Sequence, residues 1–316
     1  MDYLYALQCI REGCPSFINI FFVLISEVIL KAGVIIGALI YWCVNKSEGI
    51  TLLLGYTSTY QINQLVKNTA CVYRPWIKDS RLHLAPEAVK TATGYSFPSG
   101  HTVTAASIFG GISVWQKKRK WLVVLMSLLI LLVAFARNWL GAHTLTDVVT
   151  AICETAVVLI VVYALRYLVL TKRNFDTILC FGGIGIAVVL LIVLSLKGYP
   201  MDYDSNGILL ADPYAMLTDC YTAFGMLCGT LLGWWLERRF INFSVEGKFS
   251  TRLLRFACGL IMILIPYLGS KYVFAIFGDH WCHLIKYFLV MIVATAVYPA
   301  IIKLVQIKKQ AKLNRR

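Results

Sequence analysis

Residues 122–135 read LVVLMSLLILLVAF, a run whose single polar side chain is Ser127. As part of a helix over 121–139, this stretch is long enough to cross the ~30 Å hydrocarbon core of a bilayer. Eight further apolar runs of similar length lie near 16–44, 49–67, 98–115, 143–165, 177–196, 213–236, 254–277 and 284–303. The whole composition agrees: 316 residues are 59% hydrophobic and 15% charged, with a mean hydropathy of +0.72. Soluble domains carry about 25% charged residues, so these figures exclude an ordinary water-soluble enzyme. The expected fold is an all-α polytopic membrane bundle of about nine helices. Residues 1–175 are expected to form a membrane-embedded core and 176–316 an extension with further spans and a basic tail. The run near 49–67 is polar for a span (Thr57, Thr59, Gln61, Asn63, Gln64), which fits a helix packed inside the bundle. Residues 2–12 are too few to span and fit a short interfacial helix.

Thirty Lys and Arg face sixteen Asp and Glu, a formal charge of +14. Nine spans put the termini on opposite sides, and the positive-inside rule then selects a cytoplasmic C-terminus. That choice leaves nineteen cations on cytoplasmic segments, including the run Lys117 to Lys120 and the tail from Lys303 to Arg316. Only eight lie outside: Arg11, Lys67, Arg74, Lys78, Arg81, Lys90, Arg137 and Lys197. The loop 68–97, the junction 138–142 and the loop 197–212 are therefore expected on the extracytoplasmic face. Cations spread over short loops, with no interleaved aromatics, do not form a nucleic-acid surface. The basic tail fits contact with anionic membrane lipid. Ten scattered cysteines show no metal-ligand spacing.

Ionisable groups that the hydropathy pattern does not need are the informative ones in a membrane chain. They gather on the outer face: Lys67 with Arg74 and Pro75, then Pro98, Ser99, Gly100 and His101, then Arg137 with His143 and Asp147. Two guanidiniums and an ammonium beside a helix N-terminus make a site for a dense anion, with phosphate the obvious candidate. Ser99 offers a hydroxyl and Gly100 lets backbone N–H groups approach the ligand closely. His143 and Asp147, four residues apart, fit one helical face, where the carboxylate holds one ring nitrogen as N–H and frees the other as nucleophile. His101 has no carboxylate four residues away and fits a general acid. Glu27 and Lys31, four apart in the first run, form a pair that joins helices or touches entering substrate. Glu154 and Asp219 fit structural groups facing the bundle. The loop 76–97 is either a cap over the site or an ordinary connection.

The strings KNTACVYRP (67–75), PSGH (98–101) and RNWLGAHTLTD (137–147) resemble the three signature motifs of the type 2 phosphatidic acid phosphatase superfamily, over roughly residues 20–165. One position departs from the pattern: Ala136 stands where the family usually has Ser. The resemblance implies a six-helix-type phosphatase core and a role for each residue. Lys67, Arg74 and Arg137 would clamp the phosphoryl oxygens, with Ser99 and the Gly100 backbone completing the cradle. His143 would attack phosphorus, oriented by Asp147, and His101 would protonate the leaving oxygen. No metal or cofactor is implied. The implied activity is a metal-independent phosphatase acting on a lipid phosphate monoester or diphosphate. Two alternatives remain at this stage: phosphotransfer through the same histidine, and a transporter that binds phospholipid without cleaving it.

Overall fold

The computed structural model describes residues 1–314, so Arg315 and Arg316 of the basic tail lie outside the described residues. Among the described residues all regular structure is helical, apart from an isolated antiparallel bridge between Tyr203 and Leu209. The helices are α1 (Asp2–Glu12), α2 (Ser16–Leu39), α3 (Lys46–Ala70), α4 (Pro75–Lys78), α5 (Gly100–Trp115), α6 (Lys120–Trp139), α7 (Leu145–Thr171), α8 (Phe175–Leu196), α9 (Pro213–Leu236), α10 (Phe249–Val273), α11 (Asp279–Ile292) and α12 (Tyr298–Leu313). Single π-type turns extend α2 through Ile40–Val44 and α9 through Glu237–Ile241, and Val293–Val297 joins α11 to α12.

Seven helical segments are long and apolar enough to cross a membrane: Ser16–Val44, Lys120–Trp139, Leu145–Thr171, Phe175–Leu196, Pro213–Ile241, Phe249–Ser270 and Asp279–Lys312. The nine expected runs all lie on helices, but two fall short of that standard. The α5 helix has 16 residues, against roughly 17–25 for a span. The α3 helix is polar. In both, the side chains face protein. Residues 101–109 of α5 are all buried, as are Thr59, Gln61, Asn63 and Gln64 of α3. On α6, by contrast, Trp121, Val124, Leu128, Leu131 and Phe135 form an exposed apolar stripe, while Val133, Ala134, Ala136 and Arg137 are buried. That helix presents one face to lipid and one to protein.

The chain folds as two compact units. The first comprises residues 1–33, 58–161 and 193–220, and it contains every residue of the three motifs. Within it α1 is held by Arg11, which donates to the carbonyls of Trp139 (3.0 Å) and His83 (2.6 Å). Three hydroxyls on α5 satisfy themselves locally; Thr104 and Ser107, for instance, donate to carbonyls one turn back.

The second unit comprises 34–57, 162–192 and 221 onward. Its packing rests on a stripe of glycines in α9. A Cβ on Gly225 would stand 2.3 Å from the Leu284 carbonyl oxygen, one on Gly229 2.5 Å from that of Phe288, and one on Gly233 1.9 Å from Thr295 Oγ1. Helices in lipid gain nothing from burying apolar surface against each other, so close backbone approach at small residues supplies the cohesion. Polar ties add to it: Trp42 Nε1 donates to the Ala294 carbonyl at 2.8 Å, and Lys46 pairs with Glu237 at 3.1 Å.

Candidate active site

All of the motif residues converge within the first unit, and each is placed by a helix end. Lys67 occupies the last turn of α3. The chain then turns through Cys71 (φ +47°), and Pro75 at the first position of α4 fixes the direction in which Arg74 leaves. Ser99 caps the N-terminus of α5, accepting from Thr102 Oγ1 at 3.0 Å. Its own N–H donates to the Asp147 carbonyl at 3.1 Å, which ties the second motif to the third. Gly100 lies beside Lys67: a Cβ there would be 4.0 Å from Lys67 Nζ and 3.8 Å from Asn63 Oδ1.

His143 and Asp147 meet as the spacing predicts, although by a different route. The helix α7 begins at Leu145, so His143 sits in the turn before it. Thr144 and Asp147 form a reciprocal cap: Thr144 N–H donates to Asp147 Oδ2 (2.8 Å) and Asp147 N–H donates to Thr144 Oγ1 (3.3 Å). The carboxylate aimed by this cap lies 3.4 Å from His143 Nδ1 and accepts the Ser96 hydroxyl at 2.5 Å. On the far side of the ring, Nε2 faces Arg74 Nη1 at 2.9 Å. Burial, and then the Arg74 guanidinium, hold His143 well below its usual 6.5. The neutral ring that satisfies both neighbours has its proton on Nδ1 toward Asp147 and its lone pair on Nε2.

The two guanidiniums are fully enclosed. Arg74 donates to the carbonyls of Gly94 (2.9 Å), Ala142 (2.9 Å) and Thr93 (2.6 Å). Burial and the neighbouring Arg137 hold it down to about 9. Arg137, completely buried, makes only long contacts of 3.3–3.5 Å with Thr91 and Ser26, and its Nε has no partner. A buried cation with so little satisfaction is costly unless an anion shares the space. Asp219, Asp147 and Glu154 bear on the charge of Lys67, so the two acids read as structural sit beside the site. The loop 76–97 contributes the carbonyls of Thr91, Thr93 and Gly94, and is therefore part of the site wall.

Ala136 is fully buried, and the hydroxyls near Arg137 come from Thr91 in the loop at 3.4 Å and from Ser26 on α2 at 3.5 Å. The same helix brings a residue that spacing did not pair with the site: Glu27 Oε1 lies 2.9 Å from His101 Nε2. Glu27 does pair with Lys31, at 3.3 Å, but the Lys31 side chain is 75% exposed, so the pair is not buried between helices. Sequence spacing also missed Ser96, three residues before the second motif's Ser99 and reaching the carboxylate of the third.

Residues 48–171 match the PAP2 superfamily, and residues 221–310 match a family described as PAP2 superfamily phosphatase, transmembrane extension. The chain belongs to the PAP2 superfamily. The first PAP2 match contains all three motifs, whereas Ser26 and Glu27 precede it. Among named proteins, the chain is 28% identical over 131 residues to phosphatidylglycerophosphatase B of Bacillus subtilis (strain 168). That alignment takes in 39% of this chain and 60% of the relative, so the chain spans about three-fifths of that protein's length. No solved structure matches the chain significantly. With seven apolar helices and the transmembrane extension, this PAP2 member is a multi-pass integral membrane protein.

Proposed function

We propose that this PAP2 protein is a lipid phosphatase that transfers a phosphoryl group to His143 and then to water, without a metal. One observation carries the reading. His143 is a buried ring with a carboxylate on Nδ1 and a guanidinium on Nε2, the arrangement a nucleophile for phosphorus needs. Binding alone calls for cations but not for an oriented imidazole.

A phosphoryl group entering between Arg74, Arg137 and Lys67 takes over the Arg74 Nη1 donor and uncovers the Nε2 lone pair. His143 attacks, the bond from phosphorus to the leaving oxygen breaks, and His101 protonates that oxygen. Water, with His101 now as base, then cleaves the phosphohistidine. Three fixed cations neutralise the charge that builds on the equatorial oxygens, a duty that bound metal performs in other phosphoryl transfers. The site lies on the extracytoplasmic face, set by the distribution of cations over the loops. The substrate is a lipid phosphate or diphosphate, its tail in the bilayer. The sequence relative is a phosphatidylglycerophosphatase by name, which makes phosphatidylglycerol phosphate the first substrate to assay.

The test is phosphate release by purified protein in chelator, compared with His143→Ala. Turnover that persists in chelator and vanishes in the variant is the expected result. Undiminished turnover in His143→Ala removes the mechanism, and dependence on added metal removes the metal-free reading.

A further inference from the structure

Glu27 is the only acidic residue of α2. It precedes residues 48–171, the part of the chain that matches PAP2 around the motifs. A carboxylate in an apolar helix is kept there by something specific. Its two oxygens are divided: Oε1 is 2.9 Å from His101 Nε2, and Oε2 is 3.3 Å from Lys31 Nζ. Lys31 is largely exposed, so it ties up the outer oxygen, while the inner oxygen meets a ring that is 8% exposed.

Each group charged near His101 comes from a different element. Arg137 on α6 and Arg74 before α4 bear on the ring as positive charges, and Glu27 is the opposing negative one. Two guanidiniums repel an imidazolium, yet a general acid must carry its proton up to the moment of transfer. His143 has Asp147 for orientation; no acid on α5 does the same for His101.

We propose that Glu27 is the positioning residue of the general acid, accepting the Nε2–H of His101 so that the Nδ1–H faces the leaving oxygen. This rests on the phosphatase reading above. As the bond from phosphorus to oxygen breaks, the leaving oxygen takes the Nδ1 proton, and His101 becomes neutral with its Nε2–H still on Glu27. In the second step the attacking water returns a proton to Nδ1, phosphate departs, and His143 is restored. Glu27 itself gains and loses nothing.

A role in proton delivery depends on how much the leaving group needs a proton, which a purely structural role does not. The experiment compares a long-chain alkyl phosphate with a phenyl phosphate bearing the same tail, for wild type, Glu27→Gln and Glu27→Asp in detergent. Alkoxides require protonation and phenoxides scarcely do. Glu27→Gln is expected to lower kcat/KM, which reports the first step, on the alkyl substrate by about 100-fold, at the low end of general-acid contributions, and on the phenyl substrate by less than about threefold. Glu27→Asp, which restores the charge, is expected to recover part of the alkyl activity. Equal losses on the two substrates, or no loss on the alkyl one, overturn the proposal. A wild-type enzyme that works through His143 but shows no such leaving-group bias in Glu27→Gln removes this inference alone. Release that survives His143→Ala removes the phosphatase mechanism beneath it.

Discussion

Replacing Asp147 with Asn changes one atom of the side chain and tests the orientation of the nucleophile. The carboxylate caps Thr144 N–H at 2.8 Å, accepts Ser96 Oγ at 2.5 Å and lies 3.4 Å from His143 Nδ1. All three contacts are made by Oδ2, so Asn with its carbonyl oxygen there keeps the cap and loses only the charge, whereas the flipped amide turns its N–H toward the ring and Ser96 and gives up the cap. A hydrogen bond to a charged group is worth about 1.5–3 kcal/mol, which as lost transition-state stabilisation is roughly 10- to 150-fold in rate. The tautomer adds to this. Where the amide N–H meets Nδ1, the ring proton moves to Nε2, and the atom that should attack has no lone pair; the same change in Ser-His-Asp proteases costs about 10⁴ in kcat. Asp147→Asn is therefore expected to lose about 10²- to 10⁴-fold in kcat with KM nearly unchanged, because Asp147 touches the nucleophile and not the phosphate. Phosphate release from a lipid phosphate in mixed micelles, followed across substrate concentration, measures both constants. A kcat within about threefold of wild type, or a loss confined to KM, refutes the orientation argument.

Three further outcomes follow from the same geometry. Arg137→Lys keeps the charge but not the planar fork, and should lower kcat/KM by about 10²-fold and weaken vanadate inhibition in parallel. Gly229→Ala forces a Cβ to within 2.5 Å of the Phe288 carbonyl and should cost about 1–3 kcal/mol in detergent unfolding, whereas Gly182→Ala, with nothing within 4 Å, should be neutral or slightly stabilising. His143 is held well below its usual 6.5 by burial and Arg74. Below about pH 6.5 the unfolded chain binds a proton that the folded ring refuses, so this group's contribution to stability is present above that pH and lost as pH falls, by at most about 1.4 kcal/mol per unit. Unfolding measured from pH 7 to 5 should show that slope flattened in His143→Gln.

The membrane class and the gathering of the three motifs were legible because both depend on short-range features: runs of apolar residues, and polar groups at helix ends. Spacing of four brought His143 to Asp147 even though the histidine lies outside the helix, since the Thr144 cap turns the chain through the same reach. The partner of His101 was not legible for the opposite reason. Glu27 stands 74 residues away in sequence, and Lys31, one helical turn on, supplied a nearer explanation for its charge. Likewise, with Ala at 136, the hydroxyls near Arg137 belong to Thr91 in the loop and Ser26 on α2, neighbours in space that no local pattern records. Seven of the nine expected runs are long and apolar enough to span; α3 and α5 fall short of that standard, with buried side chains that need no lipid-facing composition.

The central claim is that phosphorus bonds to His143, and a variant can hold the reaction at that stage. His101→Ala leaves the first step intact for a phenyl phosphate, whose leaving group needs no acid, and slows the second by removing the base. Rapid alkaline quenching of that variant, followed by mass spectrometry of the peptide containing residue 143, should find a phosphoryl group on His143. A phosphoryl group on any other residue, or release of phosphate from this variant with His143 unmodified throughout the time course, would contradict it.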